Sequence, residues 1–137
     1  MSLKDKCKII EFKDFGDERG NLIVIEGGQT IPFDIKRAFY IYGSDSTVVR
    51  GQHANKESEF MLINVAGTSK VRITDTKEEF VVELNKPKMG VYIPEMIWKD
   101  MYDFSKDSVL LVLASTHYNS EEYIRDYNEY QKIMKNW

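Results

Sequence analysis

The segment Val48–Phe60, with the sequence VVRGQHANKESEF, contains the residue types best suited to chemistry in this chain. His53 precedes Asn55 by two residues, and Glu59 follows four residues after Asn55. Side chains two residues apart on an extended segment point to the same side, so His53 and Asn55 are predicted to share a face. Glu59 is then within reach from a neighbouring turn. The segment indicates either an acid–base site centred on the histidine or an altered metal site.

A second segment, Gly90–Asp103, bears on the choice between these two sites. Its spacing of Gly90, Pro94, Lys99 and Asp103, taken with the first segment, resembles the two motifs of the cupin superfamily. Metal-binding cupins use two histidines and a glutamate from the first motif and one histidine from the second. In this chain Asn55 and Lys99 occupy two of the histidine positions. A protonated lysine repels a cation and an amide oxygen is a weak ligand, so we expect no bound metal.

Short β segments must position these residues. Eight segments are rich in Val, Ile, Tyr and Phe and are separated by turn residues, namely 8–12, 21–26, 37–42, 60–65, 69–74, 79–84, 90–93 and 108–114. Strands at this spacing, without helices between them, predict an all-β fold: a small antiparallel β-barrel of the cupin or jelly-roll type over about residues 8–115. We expect β-hairpins around AGTS (66–69) and TDTKE (74–78).

The hydrophobic period changes only at the C-terminal end. From Ser120 onward, apolar residues recur at steps of three and four, at positions 123, 124, 127, 130, 133, 134 and 137. Ser120 is suited to an N-cap, and Glu121 and Glu122 would lie in the first turn. This pattern predicts one C-terminal α-helix over about 120–136, docked on the barrel by its apolar face. The whole chain, residues 1–137, is expected to form a single cupin domain.

Composition narrows the classes of partner. The chain has 19 basic and 22 acidic residues and a net charge of −3, which argues against a nucleic-acid partner. No apolar run approaches the roughly 20 residues of a membrane span, and the opening MSLKDKCKIIEF lacks the apolar core of a signal peptide. The single Cys7 cannot form an internal disulfide. We therefore expect a cytoplasmic protein with no membrane partner.

Four longer stretches carry a more specific resemblance: IPFDIKRAFYIY, RGQHANK, LNKPKMGVYIPEMIWKDMYDFSKDSVLLVLAS and HYNSEEYIRDYNEY. Together they resemble the nucleoside-diphosphate-sugar 3,4-ketoisomerases, bacterial cupins of the WxcM-like or FdtA/QdtA group, over roughly residues 8–130. The resemblance implies a homodimeric enzyme without metal or organic cofactor. It would convert dTDP-4-keto-6-deoxyglucose to the 3-keto isomer, before an aminotransferase makes a 3-amino sugar for surface polysaccharide such as lipopolysaccharide, O-antigen or S-layer glycan.

The same resemblance implies roles for individual residues. His53 matches the expected acid–base group, Tyr40 matches a second active-site position, and Arg50 is a candidate for binding the diphosphate. Asn55 departs from the usual pattern R-G-x-H-x-H-K, in which both histidines lie in the active site. If the second histidine of that pattern relays a proton, its replacement by an amide, which cannot titrate, should slow the reaction rather than alter its class.

Lys99 and Arg19 are further candidates for binding the substrate, and each has two interpretations. Lys99 would either stabilise an enediolate by its charge or pair with Asp100 or Asp103. Arg19 would either belong to an active-site loop or lie in an exposed turn.

Aromatic and polar candidates also have alternatives. Trp98 would stack on the thymine base or, as we favour, pack in the core or an interface. Glu59 would orient His53 rather than bind metal. Tyr40 would either act in the site or fill the barrel, and His117 is expected to be structural or to face solvent.

A 3,4-keto shift needs one base for the C3 proton, donors for the enediolate oxygens and a clamp on the diphosphate. His53 could carry the proton from C3 to C4 on one face, with Tyr40 or Asn55 bonding the oxygens. Two alternatives stay open: a catalytically impaired sugar-nucleotide-binding cupin, and a related sugar-nucleotide epimerase or tautomerase. A metal-dependent cupin oxygenase is disfavoured because the ligands are missing.

Overall fold

A computed structural model describes all 137 residues. The elements follow in the order α1 (Leu3–Lys6), β1 (Ile9–Glu11), β2 (Arg37–Tyr42), β3 (Arg50–Asn55), β4 (Phe60–Ala66), β5 (Ser69–Thr74), β6 (Glu79–Leu84), β7 (Met89–Ile93), β8 (Trp98–Tyr102), β9 (Val109–Ala114), a 3-10 turn (Ser120–Glu122), β10 (Tyr123–Ile124) and α2 (Tyr127–Met134). No helix is long and apolar enough to cross a membrane.

The strands form two antiparallel sheets of five strands each, in the orders β1-β7-β4-β9-β2 and β10-β3-β8-β5-β6. Alternate side chains of both sheets meet in one core, which includes Leu62, Val71 and Val91, all without solvent exposure. The predicted all-β fold of jelly-roll type is confirmed. The two sheets form a sandwich rather than a closed barrel.

The strand pattern did not predict the N-terminal helix α1. Its Leu3, and Cys7 directly after the helix, pack into the same core. Burial raises the pKa of the Cys7 thiol to about 12, so this cysteine is a packing residue and not a nucleophile.

The outer face of the first sheet is covered by the segment 12–35. A strand was predicted at 21–26, and this prediction is wrong, since only an isolated bridge joins Ile23 to Asp14. Ile23 and Ile25 instead pack flat against the outer face of the sheet. The edges of that sheet are already occupied by β1 and β2, so the apolar segment is buried against a face without joining the ladder.

Two hairpin predictions had opposite outcomes. The TDTKE hairpin is confirmed, because β5 and β6 pair in register from Ser69–Leu84 to Thr74–Glu79. The AGTS hairpin is wrong, because β4 belongs to the first sheet and β5 to the second. The chain turns at Gly67, with a φ of +66°, and crosses from one layer to the other.

The C-terminal helix was predicted over 120–136, but the helix in the structure, α2, begins later, at Tyr127. Tyr123 and Ile124 form β10, which pairs with Asn55 and Ala54 at the edge of β3. Aromatic and β-branched residues suit a strand, and the edge of β3 is open at this point.

Helix α2 begins only after Asp126, whose carboxylate accepts hydrogen bonds from the backbone N–H groups of Asn128 and Glu129. Its apolar face docks on the second sheet as predicted, with Tyr130 and Met134 buried in a cluster that includes Trp98.

Candidate active site

A cavity of about 390 Å³ lies between the edge strand β2 of the first sheet and strands β3 and β8 of the second. Its polar lining comes mainly from Tyr40, Arg50, His53, Lys99 and Tyr123. Apolar side chains such as Phe60 and Leu62 form its floor. Such a mainly apolar cavity with a few converging polar groups is the usual form of a small-molecule site.

His53 and Lys99 are direct cross-strand partners on β3 and β8. The register slips between Gly51 and His53, where Gln52 has a φ of +55° and Gly51 a φ of +82°. A Cβ at Gly51 would lie 2.9 Å from the carbonyl oxygen of Lys99. The glycine of the RG element therefore permits the β-bulge that brings His53 opposite Lys99.

The His53 ring is half-buried, and its Nδ1 lies 2.9 Å from the carbonyl oxygen of Gly51. Because a carbonyl oxygen only accepts hydrogen bonds, Nδ1 carries the proton of the neutral ring and Nε2 is left as the basic nitrogen. Burial, followed by the positive charge of Lys99, lowers the pKa of His53 to about 4. His53 is consequently neutral near pH 7 and able to accept a proton.

Lys99 is only 3% exposed, and its Nζ donates to Asn55 Oδ1 at 3.2 Å. The Nζ atom also lies 4.4 Å from the centroid of the Phe60 ring. Burial lowers the pKa of Lys99 to about 7, and the negative charge of Glu122 opposes this effect. Both protonation states are therefore populated near neutral pH.

Of the two interpretations of Lys99, the one in which it pairs with Asp100 or Asp103 is wrong. Asp100 forms an ion pair with Arg72 at 2.8 Å, and Asp103 forms one with Lys70 at 3.1 Å. Successive side chains of β8 point to opposite faces, so Lys99 turns into the cavity while Asp100 turns outward to Arg72.

Asn55 is buried behind Lys99 and does not line the cavity. Its Nδ2 has no hydrogen-bond partner. Glu122, in the 3-10 turn, is also buried and accepts hydrogen bonds from the backbone N–H groups of Glu57 and Ser58, both at 3.0 Å, and from the Ser58 hydroxyl. Burial alone would raise the pKa of the Glu122 carboxyl, but the bonds from Ser58 and Glu57 lower it.

Tyr40 and Arg50 lie at the rim of the cavity. The Tyr40 side chain is 64% exposed on β2, so the alternative in which it fills the interior is wrong. Arg50 belongs to none of the five ion pairs of the chain, and its guanidinium remains available to an anion. The structure thus brings Tyr40, Arg50, His53 and Lys99 to one cavity.

The other predicted site residues lie outside this cavity. Arg19 forms an ion pair with Asp17 in an exposed turn. The Glu59 carboxylate accepts a hydrogen bond from the hydroxyl of Tyr92, so it is engaged away from His53.

Trp98 is buried with its ring against those of Tyr127 and Tyr130, in agreement with the favoured packing role. His117 faces solvent.

Sequence reasoning missed Glu122 and Tyr123, which were placed in the first turn of a helix. The ring of Tyr123 lies 4.8 Å from that of His53, between centroids. The aromatic and β-branched pair Tyr123 and Ile124 has the composition of a short strand, and an acidic residue precedes it. The sequence alone does not show that this pair adds to β3.

No group of three or more His, Cys, Asp or Glu side chains is arranged to hold a metal ion. The expectation of a metal-free site rests on the donor set, in which the histidine faces a lysine and an amide.

Comparison with known proteins places this site in context. The FdtA family model, described as WxcM-like, C-terminal, matches residues 5–135. A TDP-4-oxo-6-deoxy-alpha-D-glucose-3,4-oxoisomerase of Aneurinibacillus thermoaerophilus is 39% identical over 127 residues, 93% of this chain and 91% of the relative.

Two solved structures are similar over nearly the whole chain. A mutant of the 3,4-ketoisomerase QdtA from Thermoanaerobacterium thermosaccharolyticum, in complex with TDP-4-keto-6-deoxyglucose, has a TM-score of 0.93 and 42% identity, covering 96% of this chain and 95% of that one. WlaRA, a TDP-fucose-3,4-ketoisomerase from Campylobacter jejuni, has a TM-score of 0.90 and 42% identity, covering 95% and 96%.

The jelly roll and its intersheet cavity define a cupin-type protein. The chain belongs to the FdtA family of WxcM-like proteins. The resemblance carried by the four sequence stretches is confirmed.

Proposed function

We propose that this chain catalyses the 3,4-ketoisomerisation of a TDP-4-keto-6-deoxy sugar, through an enediol intermediate. The observation that carries the proposal is the neutral imidazole of His53 facing Lys99 inside a cavity of a size suited to a sugar. Relatives that match nearly the whole chain, at 39% and 42% identity, are named as ketoisomerases of TDP sugars, which supports the same substrate class.

The base of the reaction is His53. Its Nε2 takes the proton from C3, which the adjacent C4 carbonyl acidifies, and returns a proton at C4. Since Nδ1 bonds to the Gly51 carbonyl, the ring is held in the tautomer and orientation that this step needs. Tyr40 and Lys99 line the same cavity and supply donors for the developing enediolate oxygens.

The nucleotide is bound at the rim. Arg50 has no carboxylate partner and provides the cation for the diphosphate. Arg19 remains a second candidate, and its use would require it to leave Asp17. Trp98 is buried against α2 and is not available to stack on thymine.

Several finer features belong to the same proposal. We infer a homodimer, because β2 is an edge strand that exposes Tyr40 and Tyr42, at 64% and 72%. The expected setting is the cytoplasm, with residues 1–137 as one domain. The 3-keto product would supply an aminotransferase that makes an amino sugar for surface polysaccharide. Light scattering at micromolar concentration should give twice the mass of the 16.0 kDa chain, and a monomer mass would contradict the dimer.

The test of the activity is incubation with TDP-4-keto-6-deoxyglucose in deuterated water, followed by NMR of the sugar ring. We expect the 3-keto isomer to form, with deuterium at C3 or C4 to the extent that His53 exchanges its proton with solvent. Absence of both isomerisation and exchange would overturn the proposal.

The second candidate function is a sugar-nucleotide-binding protein that has lost catalysis, and Asn55 is the observation that favours it. Asn55→His restores the usual pattern. A neutral imidazole at position 55 can accept the Lys99 hydrogen bond in place of Asn55 Oδ1, so if the wild type is an active enzyme, this variant should retain or exceed its rate. If the wild type binds TDP but is inactive and Asn55→His gains activity, the binding function is correct.

A further inference from the structure

We propose that Lys99 is the second proton-transfer residue of this site, and that Asn55 and Glu122 position its amine at the substrate's carbonyl oxygen. This inference rests on the proposed ketoisomerase function and adds a partner to His53.

The first support is the position of Lys99. Its side chain lines the cavity directly opposite His53, and a proton donor there would contact the same sugar carbons and oxygens. An ammonium group has three N–H donors, of which one is bonded to Asn55 Oδ1. The other N–H groups bond to no protein atom and are free for a substrate oxygen.

A second support is the buried polar chain behind the lysine. Asn55 Oδ1 accepts a hydrogen bond from Lys99 Nζ, and the nearby negative charge of Glu122 favours the protonated amine. Glu122 is itself fixed by bonds from Glu57 and Ser58. Burying a charged lysine costs free energy unless the charge is compensated. Here Glu122 compensates it without forming a direct ion pair with Lys99. The hydrogen bond to Asn55 holds the amine in place, and because Lys99 forms no direct ion pair, its proton can still be transferred.

The third support is electrostatic. The charged or titratable groups acting on Lys99 are Glu122 from the 3-10 turn and Cys7 beside α1, while His53 faces it from β3. Burial and Glu122 oppose each other, and the pKa of Lys99 falls to about 7 while that of His53 falls to about 4. Two neighbouring groups with separated pKa values provide an acid and a base at the same pH.

Each proton that His53 and Lys99 exchange in the first half of the reaction is returned in the second half. His53 Nε2 takes the proton from C3 as the C3–H bond breaks and the C3–C4 double bond forms, while O4 takes a proton from Lys99 Nζ. The resulting enediol is neutral, with an imidazolium and a free amine beside it. In the second half, the amine takes the proton from O3 as the C3 carbonyl forms, and His53 delivers its proton to C4. Both residues return to their starting states.

The test uses Lys99→Arg, which keeps the positive charge but does not exchange a proton near neutral pH, and Lys99→Met, which removes the charge. Lys70→Met is the matched control, because Lys70 also lies on a strand of the second sheet but pairs with Asp103 at the surface. We expect both Lys99 variants to lose about 10²–10⁴-fold in kcat, with TDP affinity changed less than about threefold and with native circular dichroism. Retention of full kcat by Lys99→Arg would show that charge alone suffices and would overturn the proposal.

The pH profile provides a second readout. The forward reaction needs neutral His53 and protonated Lys99, so kcat/KM of the wild type should fall below about pH 4 and above about pH 7. Glu122→Gln removes the negative charge that supports the ammonium and should move the alkaline limb to lower pH. An unchanged alkaline limb in Glu122→Gln would exclude the positioning role of Glu122.

Failure of this inference is distinguishable from failure of the proposed function. NMR of isotopically labelled Lys99 measures the titration of its amine without any substrate. If the wild type does not isomerise TDP-4-keto-6-deoxyglucose, the proposed function fails. A Lys99 amine that titrates near its ordinary value of roughly 10.4 overturns the inference even in an active enzyme.

Discussion

His53 and Lys99 oppose each other across β3 and β8, and the bulge at Gly51 is what sets them in register. In water each side chain is protonated below its ordinary pKa, but burial lowers the pKa of both in the folded protein. The pair therefore presents a neutral imidazole and a partly protonated amine to the same cavity near pH 7. This relationship makes metal-free proton transfer chemically reasonable at a site where many cupins would hold a metal ion.

The first prediction concerns His53→Asn. We expect kcat to fall by about 10²–10⁴-fold, because the variant loses the neutral imidazole that takes the proton from C3 and delivers one to C4. TDP affinity, measured by calorimetry, should change little because Arg50 is intact. His117→Asn is the matched control, since His117 faces solvent outside the cavity. Equal activity of His53→Asn and wild type would move the base to another residue.

Gly51→Ala tests the bulge. The substituted residue would have to adopt a φ of +82° with its Cβ 2.9 Å from the Lys99 carbonyl oxygen. We expect a loss of about 1–3 kcal/mol in the free energy of unfolding and a fall in kcat, because β3 must shift relative to β8.

Gly43→Ala is the control for this experiment. Gly43 has a similar φ of +77°, but no atom lies within 4 Å of its added Cβ. Chemical denaturation and steady-state kinetics of both variants separate the backbone strain from the steric contact. Equal effects of the two substitutions would contradict the argument.

The metal prediction follows from the donor set. His53 faces Lys99, and no cluster of metal-binding side chains is present. We expect protein treated with a chelator to keep its activity and its thermal midpoint. Loss of activity that is restored by zinc, iron or nickel would overturn the prediction.

The sequence predicted much of the fold because most strands are regular apolar segments. The predicted bounds of β2, β5 and β6 agree with the structure residue for residue. Strands β3 and β8 were not predicted, because their sequences RGQHAN and WKDMY contain polar and charged residues and lack a regular apolar pattern. The functional strands are thus the ones whose composition departs from that of an ordinary strand.

The site was recovered only in part. His53 and Arg50 were singled out from the motif that contains the bulge, and Lys99 from the second motif. The environment of Lys99 was not predictable, because it depends on Glu122, which is brought near Lys99 by the pairing of β10 with β3. A contact between residues so distant in sequence has no local signature.

The last prediction concerns Lys99→Met and the pH dependence of stability. The pKa of Lys99 is about 7 in the folded protein and about 10.4 in an unfolded chain, so between these values the unfolded state binds more protons. The free energy of unfolding contributed by this group therefore rises with pH from about 7 to about 10, by at most about 1.4 kcal/mol per pH unit. Lys99→Met has no such group.

We expect the difference in unfolding free energy, wild type minus Lys99→Met, to increase steadily over that interval. Urea denaturation at pH 7, 8 and 9 measures this difference, with Lys70→Met as the control. For Lys70 the sign is reversed: its hydrogen bond and ion pair with Asp103 raise its pKa on folding, so its contribution is not gained between pH 7 and 9. A difference that stays flat for Lys99→Met would mean that the Lys99 amine remains protonated in the folded protein up to pH 9, and would contradict its lowered pKa.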